Sequence, residues 1–167
     1  MVRRINLAPA VLLLFSASIA AAGDETEVIG RASVIDGDTI EIHGQRIRLH
    51  GIDAPESRQL CSDEAGEAYR CGQVAAFVLD DFLSAASPTT CHEVDRDRYG
   101  RMVARCTAGD QDVAEWLVRN GHALDWPKYS KGAYGRAQEA ARAARAGIWR
   151  GRFEWPWEWR KARQPAG

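Results

Sequence analysis

Apolar and polar residues alternate with a period of two in two neighbouring stretches of the chain. In the first, Ile40 and Ile42 fall on one face and Thr39, Glu41 and His43 on the other; in the second, Ile47 and Leu49 oppose Arg46, Arg48 and His50. Alternation of this kind predicts half-buried strands within Val28–Ile42 and Arg46–Ile52, with Gly44 and Gln45 as the turn between them. Two more strands are predicted at Thr89–Val94 and Met102–Thr107, on either side of the charged turn Asp95-Arg96-Asp97-Arg98-Tyr99-Gly100-Arg101, and the strands together suggest a small antiparallel barrel. Elsewhere the period is that of a helix. Ala75, Val78, Leu79, Phe82 and Leu83 share one face, so Ser62–Ala86 reads as helix, at the least from Gln73 onward, and Ser87-Pro88 ends it. Val113, Trp116 and Leu117 mark a short helix over Asp112–Asn120, capped by Asp110 or Asp112 and stopped by Gly121. An alanine- and arginine-rich helix is predicted from Tyr134 to Ala146.

Candidate chemistry sits at the ends of the first two strands. Asp38 shares parity with the isoleucines at the strand's mouth, where a carboxylate is costly unless it is paired or holds a metal. The tight turn brings it close to the end of the second strand, where Asp53 and Glu56 lie in the following loop beside Pro55. Two carboxylates and a backbone carbonyl suit a hard cation such as calcium. Arg48, on the second strand, is suited to gripping a phosphate with its planar fork. Each piece alone is also ordinary turn composition; their common spacing is what favours a site.

Asp36-Gly37-Asp38-Thr39, then Arg48-Leu49, then Ile52-Asp53-Ala54-Pro55-Glu56, and finally Asp97-Arg98-Tyr99-Gly100-Arg101 together resemble the staphylococcal nuclease (thermonuclease) family, over roughly residues 28–149. The resemblance implies an α+β fold, a five-stranded OB-like barrel with about three helices packed after and between the strands, a known nucleic-acid scaffold. It implies calcium-dependent hydrolysis of phosphodiester bonds in DNA and RNA, leaving 3′-phosphate ends. Asp38, Asp53 and the backbone carbonyl of Ala54 would hold the calcium ion. Glu56 would orient or deprotonate the attacking water, and Arg48 and Arg101 would neutralise charge on the phosphoryl oxygens. Arg98 and Tyr99 would face the substrate. In the link from His122 to Ala133 an aromatic packs on the base; Trp126 and Tyr129 are both candidates, and Tyr129 is preferred. The family often has threonine where this chain has Ala54, which leaves the carbonyl contact intact and removes a hydroxyl. The competing reading is a catalytically silent OB module that only binds nucleic acid or protein. Such modules lack part of the carboxylate and arginine set, whereas Asp38, Asp53, Glu56, Arg48 and Arg101 are all present here.

Composition adds compartment and partners. Arg3 and Arg4, an apolar run from Leu7 to Ala22 and the triplet Ala20-Ala21-Ala22 read as a signal peptide over residues 1–22, cleaved between Ala22 and Gly23. The run is short for a membrane span, the alternative being an uncleaved anchor. The expected product is a secreted or periplasmic monomer without stable membrane association, comprising a domain over residues 23–150 and a Trp/Arg-rich extension over 151–167. Without the leader, 20 basic residues face 23 acidic ones, so bulk charge does not mark a nucleic-acid binder. The charge is uneven, however: residues 128–167 carry 10 basic and 3 acidic residues. That segment suits either polyanion attraction or a solvated helix face. Phe153-Glu154-Trp155-Pro156-Trp157-Glu158-Trp159 suits apolar cover folded back on the body, or a binding surface. Four cysteines behind a signal peptide imply disulfides. Cys91–Cys106 is favoured because the two are equidistant from the turn at Arg98-Tyr99, and Cys61–Cys71 follows. Zinc is disfavoured by the absence of C-x-x-C spacing.

Overall fold

The computed structural model describes residues 26–164. The predicted leader and its cleavage point lie outside the described residues. From the N-terminal side come β1 (Glu27–Gly30), β2 (Ser33–Asp36), β3 (Thr39–Ile42), β4 (Gln45–Leu49) and the short β5 (Ile52–Asp53). A small hairpin of β6 (Cys61–Ser62) and β7 (Ala68–Tyr69) leads into helix α1 (Cys71–Ala85). The long hairpin β8 (Thr89–Arg96) and β9 (Met102–Ala108) follows, then β10 (Gln111–Asp112) and α2 (Val113–Arg119). Next are β11 (Leu124–Asp125), α3 (Pro127–Ser130), α4 (Gly135–Ala143), a 3-10 turn at Gly147–Arg150, and α5 (Pro156–Ala162).

The expected α+β architecture is present. Its main sheet contains seven strands among the described residues, in the order β1-β8-β9-β4-β3-β2 with β10 also on β9. Alternation correctly assigns the faces: Ile40, Ile42, Ile47 and Leu49 are buried, and they pack with Leu79 and Leu83 of α1 and Leu117 of α2. Thr39 departs from the pattern. It is buried on the nominally polar face because its hydroxyl donates to Asp38 Oδ1 at 3.1 Å.

Three expectations need correction. The β3–β4 turn is His43-Gly44, not Gly44-Gln45: both residues have positive φ, 53° and 79°, and Ile42 pairs with Gln45. Those torsions belong to the tight hairpin turn whose twist matches the strands, a role in which glycine is unstrained. Antiparallel pairing is also not universal, since β4 and β9 run parallel, with Ile47 opposite Met102 and Arg48 opposite Val103. Arg101 therefore lies two residues from Arg48's partner, on the same face of the sheet. Finally, Ser62–Tyr69 is the β6–β7 hairpin rather than the first turns of a helix, and α1 begins at Cys71.

The predicted helices near residues 112–120 and 134–146 form as α2 and α4, and Asp112 caps α2 by accepting from Glu115 N. Helices α3 and α5 are additional. The tail folds back: Trp155 and Trp157 pack on a second apolar cluster made by Cys61, Cys71, Leu124 and Ile148. Arg152 bridges to Ser62.

Disulfides join Cys61 to Cys71 and Cys91 to Cys106, and Cys91 faces Cys106 directly across the β8–β9 ladder. Closing a 15-residue separation restrains the unfolded chain. A Cys91→Ala/Cys106→Ala protein is expected to lose about 3 kcal/mol in denaturant unfolding. An unchanged midpoint would mean that the cross-link contributes nothing to stability.

Candidate active site

The site is assembled where β3, β4 and β5 meet. Asp38 occupies the corner just before β3, and Leu49 N donates to its carbonyl at 2.9 Å, fixing the corner against the end of β4. Asp53 lies on β5 rather than in a loop, because β11 pairs with it, setting Leu124 opposite Asp53. The same β11 carries the chain straight into Trp126, Lys128 and Tyr129, which explains why the 122–133 link borders the site.

Glu56 is placed by close backbone packing. A Cβ on Gly72, in the first turn of α1, would lie 2.0 Å from Glu56 O, so only glycine lets the helix approach the Pro55-Glu56 segment this closely. The buried Gln59 accepts from Glu56 N at 3.2 Å and donates to Glu154 O of the tail at 2.6 Å.

Asp38, Ala54, Glu56, Arg48, Arg98, Tyr99, Arg101 and Tyr129 all line one open cleft of about 800 Å³. Asp53 lies immediately behind it and is wholly buried. Nη2 of Arg48 donates to Asp38 Oδ2 at 2.9 Å and to Asp53 Oδ1 at 3.0 Å, so the two carboxylates converge on a single nitrogen. Burial pushes Asp38 up to about 7, against the opposing charge of Arg48. Burial also raises Asp53, opposed by Arg160 and Arg48. Burial acts to lower Arg48, but the charges of Asp38 and Asp53 prevail and hold it above its ordinary value.

The Asp97–Arg101 turn is rigidly built. Asp97 Oδ1 accepts from the backbone N–H groups of Tyr99 and Arg101, and its Oδ2 accepts from Arg101 Nε at 2.6 Å. Burial would raise Asp97, but these bonds, with Arg101's the foremost, hold it below its ordinary value. Tyr99 is 70% exposed, with the guanidinium carbons of Arg98 and Arg101 4.8 and 5.8 Å from its ring centre. The two aromatic candidates of the link differ in role. Trp126 lies under Arg48 and Arg160, 6.0 and 5.5 Å from their guanidinium carbons, and stacks on Trp157. Tyr129 is 46% exposed and meets Trp126 edge-on.

Sequence reasoning missed Arg160. Carried in by α5, its Nη2 donates to Asp53 Oδ2 and its Nη1 to Glu56 Oε1, both at 2.7 Å. Burial acts to lower it, and its hydrogen bonds to Asp53 and Glu56 more than offset this, holding it well above its ordinary value. Asp36 was also passed over as a site residue. It lines the cleft and accepts from Asp38 N at 3.1 Å. The acidic Asp-Gly-Asp spelling was its available signal.

The family described as "Staphylococcal nuclease homologue" matches residues 46–151. This chain belongs to the staphylococcal nuclease family. The family's domain is an OB-fold of the α+β class, and the mixed sheet with its helices is that fold here. The protein is accordingly a hydrolase that cleaves phosphodiester bonds in nucleic acid. It is 52% identical over 134 residues to the succinoglycan biosynthesis protein ExoI of Rhizobium meliloti, covering 80% of this chain and 70% of that one. An uncharacterized endonuclease of Escherichia coli O157:H7 is 31% identical over 159 residues, 91% of this chain and 95% of the relative. The probable staphylococcal-like nuclease CAN2 of rice is 30% identical over 131 residues; this chain spans 33% of that protein's length. The family match ends at Gly151, so Arg160 lies beyond it.

Staphylococcal nucleases are generally calcium-dependent, and Asp38 and Asp53 are the residues that would hold such an ion. They are buried carboxylates whose oxygens meet at Arg48 Nη2, and oxygen is the ligand type that calcium prefers. Among the described residues no three His, Cys, Asp or Glu side chains cluster as a metal site. Backbone carbonyls and water would complete the shell.

Proposed function

We propose that this protein is an exported, calcium-dependent nuclease that hydrolyses both DNA and RNA and leaves 3′-phosphate ends. The observation carrying this reading is the convergence of Asp38, Asp53 and Glu56 with Arg48 and Arg101 about one open cleft. Asp38, Asp53 and the carbonyl of Ala54 would hold calcium, which when bound supplies positive charge against the phosphate oxygens. Glu56, 37% exposed at its side chain, orients a water molecule and accepts its proton as the water oxygen bonds to phosphorus. The bond from phosphorus to the 5′ oxygen breaks, and that oxygen takes up a proton from solvent. Arg48 and Arg101 donate N–H groups to the phosphoryl oxygens, where charge develops. Arg98 and Tyr99 border the strand's path, and Tyr129 offers an exposed ring on which a base packs. Export is supported by the leader pattern and by two disulfides, bonds that persist in oxidising compartments. Ala54 is buried beside Asp38, its N–H donating to Asp38 Oδ2 at 3.3 Å.

Glu56→Gln tests the chemistry. It keeps size and hydrogen bonding but cannot accept a proton, so kcat is expected to fall about 100-fold or more while calcium and oligonucleotide binding survive. Wild-type kcat in that variant would remove Glu56 from the mechanism. End analysis of wild-type products checks the polarity: 5′-phosphate ends would contradict the proposed bond cleavage.

A further inference from the structure

The tail beyond residue 151 reaches into the catalytic groups. One guanidinium, that of Arg160, spans Asp53 and Glu56 with two hydrogen bonds of 2.7 Å. Among the described residues, this is the hydrogen bond made to the Glu56 carboxylate. The segment that delivers it is firmly seated. Gln59, fully buried, is bonded on one side to the backbone of Glu56 and on the other to that of Glu154. Trp157 stacks on both Trp126 and Trp155, and Trp155 meets Trp149 and Phe153 edge-on. Trp126 in turn lies beneath Arg160 itself. A side chain held this way is part of the site rather than a chance surface contact.

The geometry points to Arg160 as a positioning residue of the active centre: it ties the Glu56 carboxylate to Asp53 and so aims it at the cleft. A proton acceptor on a flexible side chain loses rate when it samples other rotamers, because the reacting atoms must be held in near-attack geometry. A planar fork with two separate N–H donors can bridge two carboxylates; an ammonium is a single point and cannot hold both in the same orientation. Arg160 also shares Asp53 with any bound cation. Its removal therefore frees an oxygen for the metal while it loosens the base.

That gives a signature of opposite signs. The inference rests on the nuclease reading above, and the experiment separates the two. Arg160→Ala and Arg160→Lys are compared with wild type in three measurements: calcium affinity by calorimetry, kcat and KM at saturating calcium, and thermal midpoint. The expected result for Arg160→Ala is calcium binding tighter by about threefold or more, together with kcat lower by about 10- to 100-fold. Arg160→Lys is expected to recover less than half of that loss on a logarithmic scale. Unchanged or higher kcat in Arg160→Ala would overturn the inference and make Arg160 a simple competitor of the metal. Weaker calcium binding with a lowered thermal midpoint would overturn it in favour of a purely structural role. Full rescue by lysine would overturn the bridging geometry. Failure of wild type to cleave nucleic acid counts against the nuclease reading instead; the calcium arm then still decides whether Arg160 shares Asp53.

Discussion

Asp53→Ala is expected to remove calcium binding and turnover together. Asp53 is wholly buried, and both of its oxygens are engaged, Oδ1 by Arg48 and Oδ2 by Arg160. It is therefore the group on which the Arg48 and Arg160 guanidiniums both converge. Deleting it leaves two guanidiniums against Asp38 and Glu56, which removes the excess of negative charge that attracts a divalent cation. The expected loss is about 3 kcal/mol or more in transition-state stabilisation, above a hundredfold in kcat/KM. Asp53→Asn keeps the volume and separates charge from packing, and it is expected to lose calcium while it retains most of the fold. Calorimetry with calcium and turnover on the same samples check both. Retained calcium binding in Asp53→Asn would show that the ion sits elsewhere.

The two arginines of the cleft are expected to respond differently to the same conservative change. Arg48→Lys removes a fork whose Nη2 serves Asp38 and Asp53 at once, so calcium affinity and turnover should both change. Arg101 is held by Asp97, away from the carboxylate pair. Arg101→Lys should therefore leave calcium affinity within about threefold of wild type and lower kcat by about 100-fold, the usual scale for one preorganised donor. Arg101 directly precedes β9, whose parallel pairing with β4 sets Val103 opposite Arg48. Asp97 holds Arg101 by two hydrogen bonds, so it acts from a fixed turn rather than from a loose tip. Near-normal turnover in Arg101→Lys would reduce the Asp97–Arg101 turn to an ordinary hairpin tip.

These contrasts follow from features of unequal visibility in the sequence. Period-two alternation placed Ile40, Ile42, Ile47 and Leu49 inside and Arg48 on the opposite face, because parity is a property of neighbouring residues. The α1 stripe and the Asp112 cap were legible for the same local reason. The symmetric spacing of Cys91 and Cys106 about their turn was also enough to pair them. Contacts made at long range carried no such signal. Arg160 meets Glu56 across 104 positions, and no periodicity links them. In the sequence it reads as one more charge on a basic, tryptophan-rich tail. The strands β5, β6, β7 and β11 are two residues each, too short for alternation to register. Asp53 was accordingly expected in a loop. The parallel pairing of β4 with β9 depends on how the chain returns after α1 and β8, which a hairpin-by-hairpin reading does not reveal. Gln59 stands in no sequence pattern, and only its burial between Glu56 and Glu154 shows its part.

Digestion of DNA and of RNA by the purified, disulfide-intact protein, with calcium and with calcium plus a chelator, tests the central claim most directly. The site described here predicts cleavage of both polymers with calcium, full arrest by the chelator, and recovery when calcium is restored in excess. Cleavage that continues undiminished in the chelator, or an intact polymer at saturating calcium, would contradict it.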